Sequence, residues 1–112
     1  MDLELEVADT ELEHWQGLSG RPYLPAGSGM IFVFDKPFQP SFWMKDMQFP
    51  LDFIWMDENF RIVDLTPDVA PESYPTIFKP SEPVQYVLEV NAGFAEREEL
   101  KIGDTLALPV DL

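Results

Sequence analysis

Between Ser41 and Met56 the chain gathers Phe42, Trp43, Met44, Phe53, Ile54, Trp55 and Met56 around one proline, Pro50. Side chains this large release about 1.5–3 kcal/mol each when fully buried, so the stretch has to lie at the centre of a core. Pro50 cannot donate to a β-ladder, which predicts two strands, 41–47 and 51–56. Lys45, Asp46 and Asp52 sit among these apolar residues. Each needs a partner or a path to water, because an isolated charge in an apolar interior is very costly.

The flanking sequence predicts more short strands. Leu3, Leu5 and Val7 alternate with Glu4 and Glu6, the period of a strand with one buried face. Thr10 and Glu13 have the spacing of a capping box, opening a short helix through Leu12 and Trp15 that ends at Gly17. Residues 19–29 read as a loop, and Met30–Phe34 as a strand buried on both faces. Asp57-Glu58-Asn59 is a turn joining 51–56 to 60–65 in a hairpin. Pro67, Pro71, Pro75, Pro80 and Pro83 exclude a helix from 66–83 and predict an extended arm with at most one edge strand, near Ile77. Phe49-Pro50 is expected to be trans. Val84–Val90 is the next strand. Asn91 is expected to cap a second short helix through Phe94 and Ala95, and a turn at Lys101-Ile102-Gly103-Asp104 leads into a last strand, 105–108. About seven strands and two short helices make a mainly β, compact single-domain fold, a β-sandwich or barrel-like arrangement spanning residues 1–112.

Composition narrows the functions. Of 112 residues, 46% are apolar, enough for a real core, and 21 acidic against 7 basic residues give a formal charge of −14. That field repels phosphate backbones and anionic lipid, so neither nucleic acid nor direct membrane binding is expected. With no cysteine, thiol catalysis, disulfides and cysteine-bound metals are excluded. No apolar run approaches the roughly 18 residues of a membrane span, and the chain as given is expected to be soluble and monomeric. His14, the lone histidine, is expected at the surface rather than at a metal. Asp57-Glu58-Asn59 lacks the spacing of a calcium loop, and Ser28, between loop and strand, lacks the context of a nucleophile elbow. No cofactor is expected.

Several segments together carry a resemblance: Gly17-Leu18 with Arg21, Gly29-Met30-Ile31-Phe32-Val33-Phe34, Phe42-Trp43-Met44-Lys45-Asp46 and Pro50-Leu51-Asp52, then Tyr86-Val87-Leu88-Glu89-Val90-Asn91-Ala92-Gly93 and Ile102-Gly103-Asp104. In this order the chain resembles the prokaryotic domain of unknown function 192 family. The resemblance implies a compact β-rich, sandwich-like or barrel-like domain without an assigned activity, and an exported or membrane-anchored full-length form, since many members follow a signal peptide or anchor. The chain departs from the family pattern at Ser19, where methionine commonly follows Gly-Leu, at Asp46, where asparagine is usual, and at Phe60, where the hairpin turn usually has glycine.

Strand parity then selects the polar residues of interest. Trp43 and Lys45 would share one face of 41–47, Asp52 would lie with Ile54 and Met56, and Glu89 with Val87. Lys45, Asp52 and Glu89 are thus each expected on a strand face that also carries bulky apolar residues, meeting one another or emerging at a rim. At about 4 Å an ion pair gains roughly 4 kcal/mol, and desolvation costs several kcal/mol per ion, so stability alone does not explain them. The predicted ligand-binding set is Trp43, Lys45, Asp52, Glu89 and Asn91. It would serve a non-catalytic module for a small molecule or a protein. The alternatives are an accessory domain with a purely structural salt-bridge network, or a hydrolase using Asp52 and Glu89 as paired carboxylates.

Overall fold

The computed structural model describes residues 2–112. In chain order the elements are β1 (Glu4–Ala8), α1 (Glu11–Gln16), β2 (Ser28–Phe38), β3 (Leu51–Met56), β4 (Ile62–Val69), a 3-10 turn at Pro71–Ser73, β5 (Val84–Asn91) and α2 (Phe94–Arg97). The fold is mainly β. One open five-stranded sheet has the order β1-β2-β5-β3-β4, with β1 parallel to β2 and the other pairs antiparallel. The sheet does not close into a barrel. It is sandwich-like in having both faces covered, with helices and loops rather than a second sheet as the covering layers. Among the described residues no helix is long and apolar enough to cross a membrane.

The two faces hold separate cores because side chains alternate along each strand. Phe32, Phe34, Phe53, Trp55 and Val87 fill one, and Ile31, Ile54, Met56, Leu88 and Val90 the other. β3 is buried at all six positions, as its apolar run requires. The indole of Trp55 is satisfied inside by donating to Thr66 Oγ1 at 2.9 Å. Gly29 lets β1 and β5 close on β2, since a Cβ there would meet the Glu89 carbonyl oxygen at 2.8 Å.

Among the described residues five strands form rather than about seven. The 41–47 segment is a loop, with one bridge in which Phe42 and Phe78 exchange backbone hydrogen bonds of 2.9 and 2.7 Å. Pro40 and Pro50 bracket it, Met47 N–H turns back to Met44 C=O, and Asp46 is left-handed at φ 59°, a conformation that short polar Asp and Asn tolerate. The 105–108 segment is likewise reduced to one bridge, Thr105 to Arg61, with Pro109 close behind. β4 runs further than predicted, through Pro67, because it is an edge strand where a missing N–H costs no ladder bond. Pairing passes from Leu51↔Val69 to Phe53↔Thr66, so the sheet accommodates one extra residue in a bulge at Pro67-Asp68. Phe49-Pro50 is trans; the cis bond is Tyr74-Pro75.

Asp52 holds this bulge and the second helix together. Its carboxylate accepts from the backbone N–H of Asp68 (2.9 Å), Gly93 (3.3 Å) and Ala95 (2.9 Å). Asn91 therefore does not cap α2, contrary to the sequence expectation. Gly93, with φ 95°, occupies the N-cap, and the capping oxygens come from β3. Removing the carboxylate would leave three N–H groups without their acceptor. Asp52→Ala is expected to destabilise the fold by about 3–5 kcal/mol and Asp52→Asn by less, measured by urea denaturation; a loss under about 1 kcal/mol for Asp52→Ala would contradict this role.

Candidate functional site

The first wall of the site is α1. Thr10 Oγ1 accepts from Glu13 N–H at 3.1 Å, and Glu13 Oε1 accepts from Thr10 N–H at 3.2 Å, so the predicted capping box forms and fixes where the helix starts. His14, expected at the surface rather than at a metal, is half-buried. Its Nε2 lies 3.0 Å from the Ala8 carbonyl and 2.8 Å from that of Val33. Both partners only accept, so Nε2 carries the proton. The imidazole also packs at 4.5 Å between centroids against Phe34. It ties α1 to the end of β1 and the middle of β2, leaving its neighbour Trp15 75% exposed.

The opposite wall is the 41–48 loop. Ser19 Oγ donates to the Lys45 carbonyl and Gly20 N–H to that of Asp46, both at 2.9 Å, which joins this loop to the turn after α1. Trp43 is 46% exposed and packs on Tyr74 with centroids 5.0 Å apart. The Lys45 ammonium lies 5.8 Å from the Trp43 ring centroid. Trp43 and Lys45 thus lie close on a loop, and the strand on which their shared face was argued does not form.

Between these walls runs a groove with two parts. The outer part, ≈ 470 Å³, is lined by Trp15, Gln16, Ser19, Trp43, Lys45 and Asp46 among others. It adjoins an inner chamber of ≈ 150 Å³ bounded by His14, Leu18, Phe32, Phe42, Trp43 and Glu89; Trp15, Gln16, Ser19, Trp43 and Met47 line both. Glu89 comes from β5, paired with Met30 on one side and Phe53 on the other. It is 5% exposed, and no described group hydrogen-bonds to its carboxyl. Desolvation with nothing to offset it pushes this acid up to about 8, so it carries its proton at neutral pH. Leaving water in this way costs ionisation on the order of 5 kcal/mol.

The sequence-predicted set is divided by the sheet. Trp43 and Glu89 share the inner chamber, and Lys45 stands in the outer groove. Asp52 pairs with Val90, whereas Glu89 pairs with Phe53, so the two carboxyls project from opposite faces and cannot flank one bond. Lys45 is paired with neither: among the described residues the ion pair is Arg21–Glu6. The expected Lys45–Asp52–Glu89 network does not form, because the strand assumed to carry Lys45 is a loop and register separates the acids. Asn91 Nδ2 donates to the Leu24 carbonyl at 2.8 Å, anchoring the chain before β2, and does not line the groove. Sequence reasoning missed Trp15, Gln16, Ser19 and Leu18. An exposed tryptophan on a six-residue helix was the available signal. Among the described residues no group of three or more His, Asp or Glu side chains is arranged to hold a metal ion.

The family model for domain of unknown function 192, described as Uncharacterized ACR, matches residues 1–108. Two crystal structures are similar to the chain throughout. One is a candidate transcription regulator from Sinorhizobium meliloti 1021, 32% identical, with a TM-score of 0.89 over 94% of this chain and 81% of that one. The other is a protein of unknown function from Novosphingobium aromaticivorans DSM 12444, 33% identical, with a TM-score of 0.87 over 92% of this chain and 73% of that one. No curated protein sequence matches the chain.

The state of Glu89 has a consequence for stability. The unfolded chain releases this proton near the ordinary 4.5, whereas the folded protein keeps it to about 8. The contribution is therefore complete below pH 4.5 and is lost at about 1.4 kcal/mol per pH unit up to the folded value. Glu89→Gln keeps the shape without the charge. Its stability relative to wild type is expected to rise steadily from pH 5 to pH 8 in urea melts; a difference independent of pH would contradict the assignment.

Proposed function

The chain belongs to the domain of unknown function 192 family, which is uncharacterised, and from its groove we propose that it is a small-molecule-binding module. The observation that carries this reading is Glu89, a buried acid with no hydrogen-bond partner among the described residues, at the base of an open groove. Asp52 supplies the internal comparison. Equally buried on the same sheet, it is satisfied by three backbone donors, as a structural carboxylate should be. A purely structural role would be served at position 89 by an apolar residue, without the cost of an unpaired acid.

The surroundings suit a ligand. The outer groove has the volume of a small-molecule site, and Trp15 and Trp43 offer rigid apolar surface at its mouth with little side-chain entropy to lose. Gln16, Ser19, Lys45 and Asp46 supply a few polar groups for orientation. These groups sit on loops and a short helix over a rigid sheet, the usual division between recognition and scaffold. The hydrolase reading loses its support because Asp52 and Glu89 face apart. Direct contact with nucleic acid, which the description of the S. meliloti neighbour raises, does not suit a chain of charge −14.

A fragment screen by NMR, following the Trp15 and Trp43 indole signals, tests this function. Fragments are expected to shift both signals in the wild type. Trp43→Ala is expected to weaken them about tenfold, or about 1.4 kcal/mol. A screen in which no fragment moves either indole, or in which Trp43→Ala binds as well as wild type, would contradict the proposal.

A further inference from the structure

We propose that the inner chamber receives the ammonium head of an organic amine, with the Glu89 carboxylate as its counter-ion and the rings of Phe42 and Trp43 around it. This rests on the reading of the groove as a binding site and adds the chemistry of its ligand.

Four observations point the same way. Among the described residues nothing donates to the Glu89 carboxyl: His14 Nε2 is committed to the carbonyls of Ala8 and Val33, Gln16 Nε2 donates to the Ser19 carbonyl and Ser19 Oγ to that of Lys45. A ligand can bring the donor that the protein does not turn toward this carboxyl, and an ammonium brings three N–H donors together with the opposite charge. The walls are aromatic: Phe42 packs edge-on to Phe32 at 4.9 Å between centroids, and Phe32, Phe42 and Trp43 all line the chamber. Aromatic faces attract cations, most strongly where water is excluded. The charge of −14 draws cations toward the protein and repels anions. Finally, ≈ 150 Å³ corresponds to the liquid volume of about five waters. That admits an ammonium with a short alkyl stem and leaves the rest of the molecule for the outer groove between Trp15 and Trp43.

Binding exchanges one cation for another. The Glu89 O–H bond breaks, its proton leaves to the buffer, and the carboxylate accepts from the incoming ammonium; no other reactant is needed. The ionisable groups around this exchange are few. From α1 there is His14, held as described. From the 41–48 loop there are Lys45 and Asp46, both in the outer groove. The strands on either side of Glu89 present Met30, Phe32 and Phe53, none of which titrates. Amine binding should therefore release close to one proton at neutral pH, and affinity should rise about tenfold per pH unit until Glu89 ionises unaided, near 8.

The test titrates the full chain at pH 7 with n-butylammonium chloride, and with 1-butanol and sodium butyrate as neutral and anionic molecules of the same length. Binding is mapped by NMR on the Trp43 indole, and the proton count is taken by calorimetry in two buffers of different ionisation enthalpy. Butylammonium is expected to shift the Trp43 signal, to release about one proton, and to bind about tenfold or more tightly than either control. Glu89→Gln should abolish this preference. The pH dependence of wild-type affinity reads the same exchange without any variant. Equal binding of 1-butanol or butyrate, no proton release, or unchanged amine binding by Glu89→Gln would overturn the amine assignment while leaving the groove as a binding site for another ligand. Silence of the Trp43 signal to all three probes would also overturn it, and the fragment screen then decides separately whether the groove binds anything.

Discussion

A sheet covered on both faces leaves no easy place for a charge, and the two strands at its middle, β3 and β5, each carry one acid. The pleat sends Asp52 and Glu89 to opposite sides. On one side the bulge in β4 and the start of α2 turn three N–H groups toward Asp52, which becomes the point where three segments are tied. On the other side no backbone turns toward Glu89, and a chamber opens above it instead. The same constraint, met by backbone donors on one face and left open to a chamber on the other, separates what holds the fold from what the fold can present to a ligand.

The chamber exists because of how that second face is covered. A helix or a second sheet would have packed continuously over Phe32, Phe53 and Trp55. Here the cover is assembled from α1 and the proline-bracketed 41–48 loop, with the proline-rich arm behind. The arm is held by the Phe42–Phe78 bridge and by Ser81 N–H donating to Asp64. Phe42 fills the centre, with ring contacts to Phe32, Phe53 and Trp55, and the seam between α1 and the loop remains open. His14 keeps that seam in place by binding α1 to the sheet.

Much of this was legible in the sequence wherever the signal is local. The Thr10–Glu13 capping box, the turn at Asp57-Glu58-Asn59 and the buried run of β3 depend on neighbours a few residues away, and each formed where it was read. Asp46 and Phe60, two departures from the family pattern, both fall at left-handed positions, φ 59° and 61°. This explains why asparagine and glycine are usual there; Phe60 is retained in a stack on Tyr86 at 4.4 Å. What sequence could not supply was the register between strands. Parity placed Asp52 and Glu89 correctly within their own strands, but the pairing of Phe53 with Glu89 depends on contacts 36 residues apart in the chain. The 41–47 segment misled because Met44 is buried and Phe42 and Met47 partly so with a single bridge, at Phe42, so its pattern resembled a strand while its backbone turned. Trp15 was missed as a site residue because its role depends on a loop nearly 30 residues away.

The central claim is that Glu89 is an unpaired acid, uncharged in the resting protein and open to whatever enters the groove. Carbon-13 NMR of the glutamate side-chain carboxyls, with Glu89→Gln to assign the signal, measures it directly. A midpoint near 8 is expected, moving downward when an amine is bound. A midpoint near the ordinary 4.5 would mean that water or a protein donor already satisfies the carboxyl, and would contradict the account.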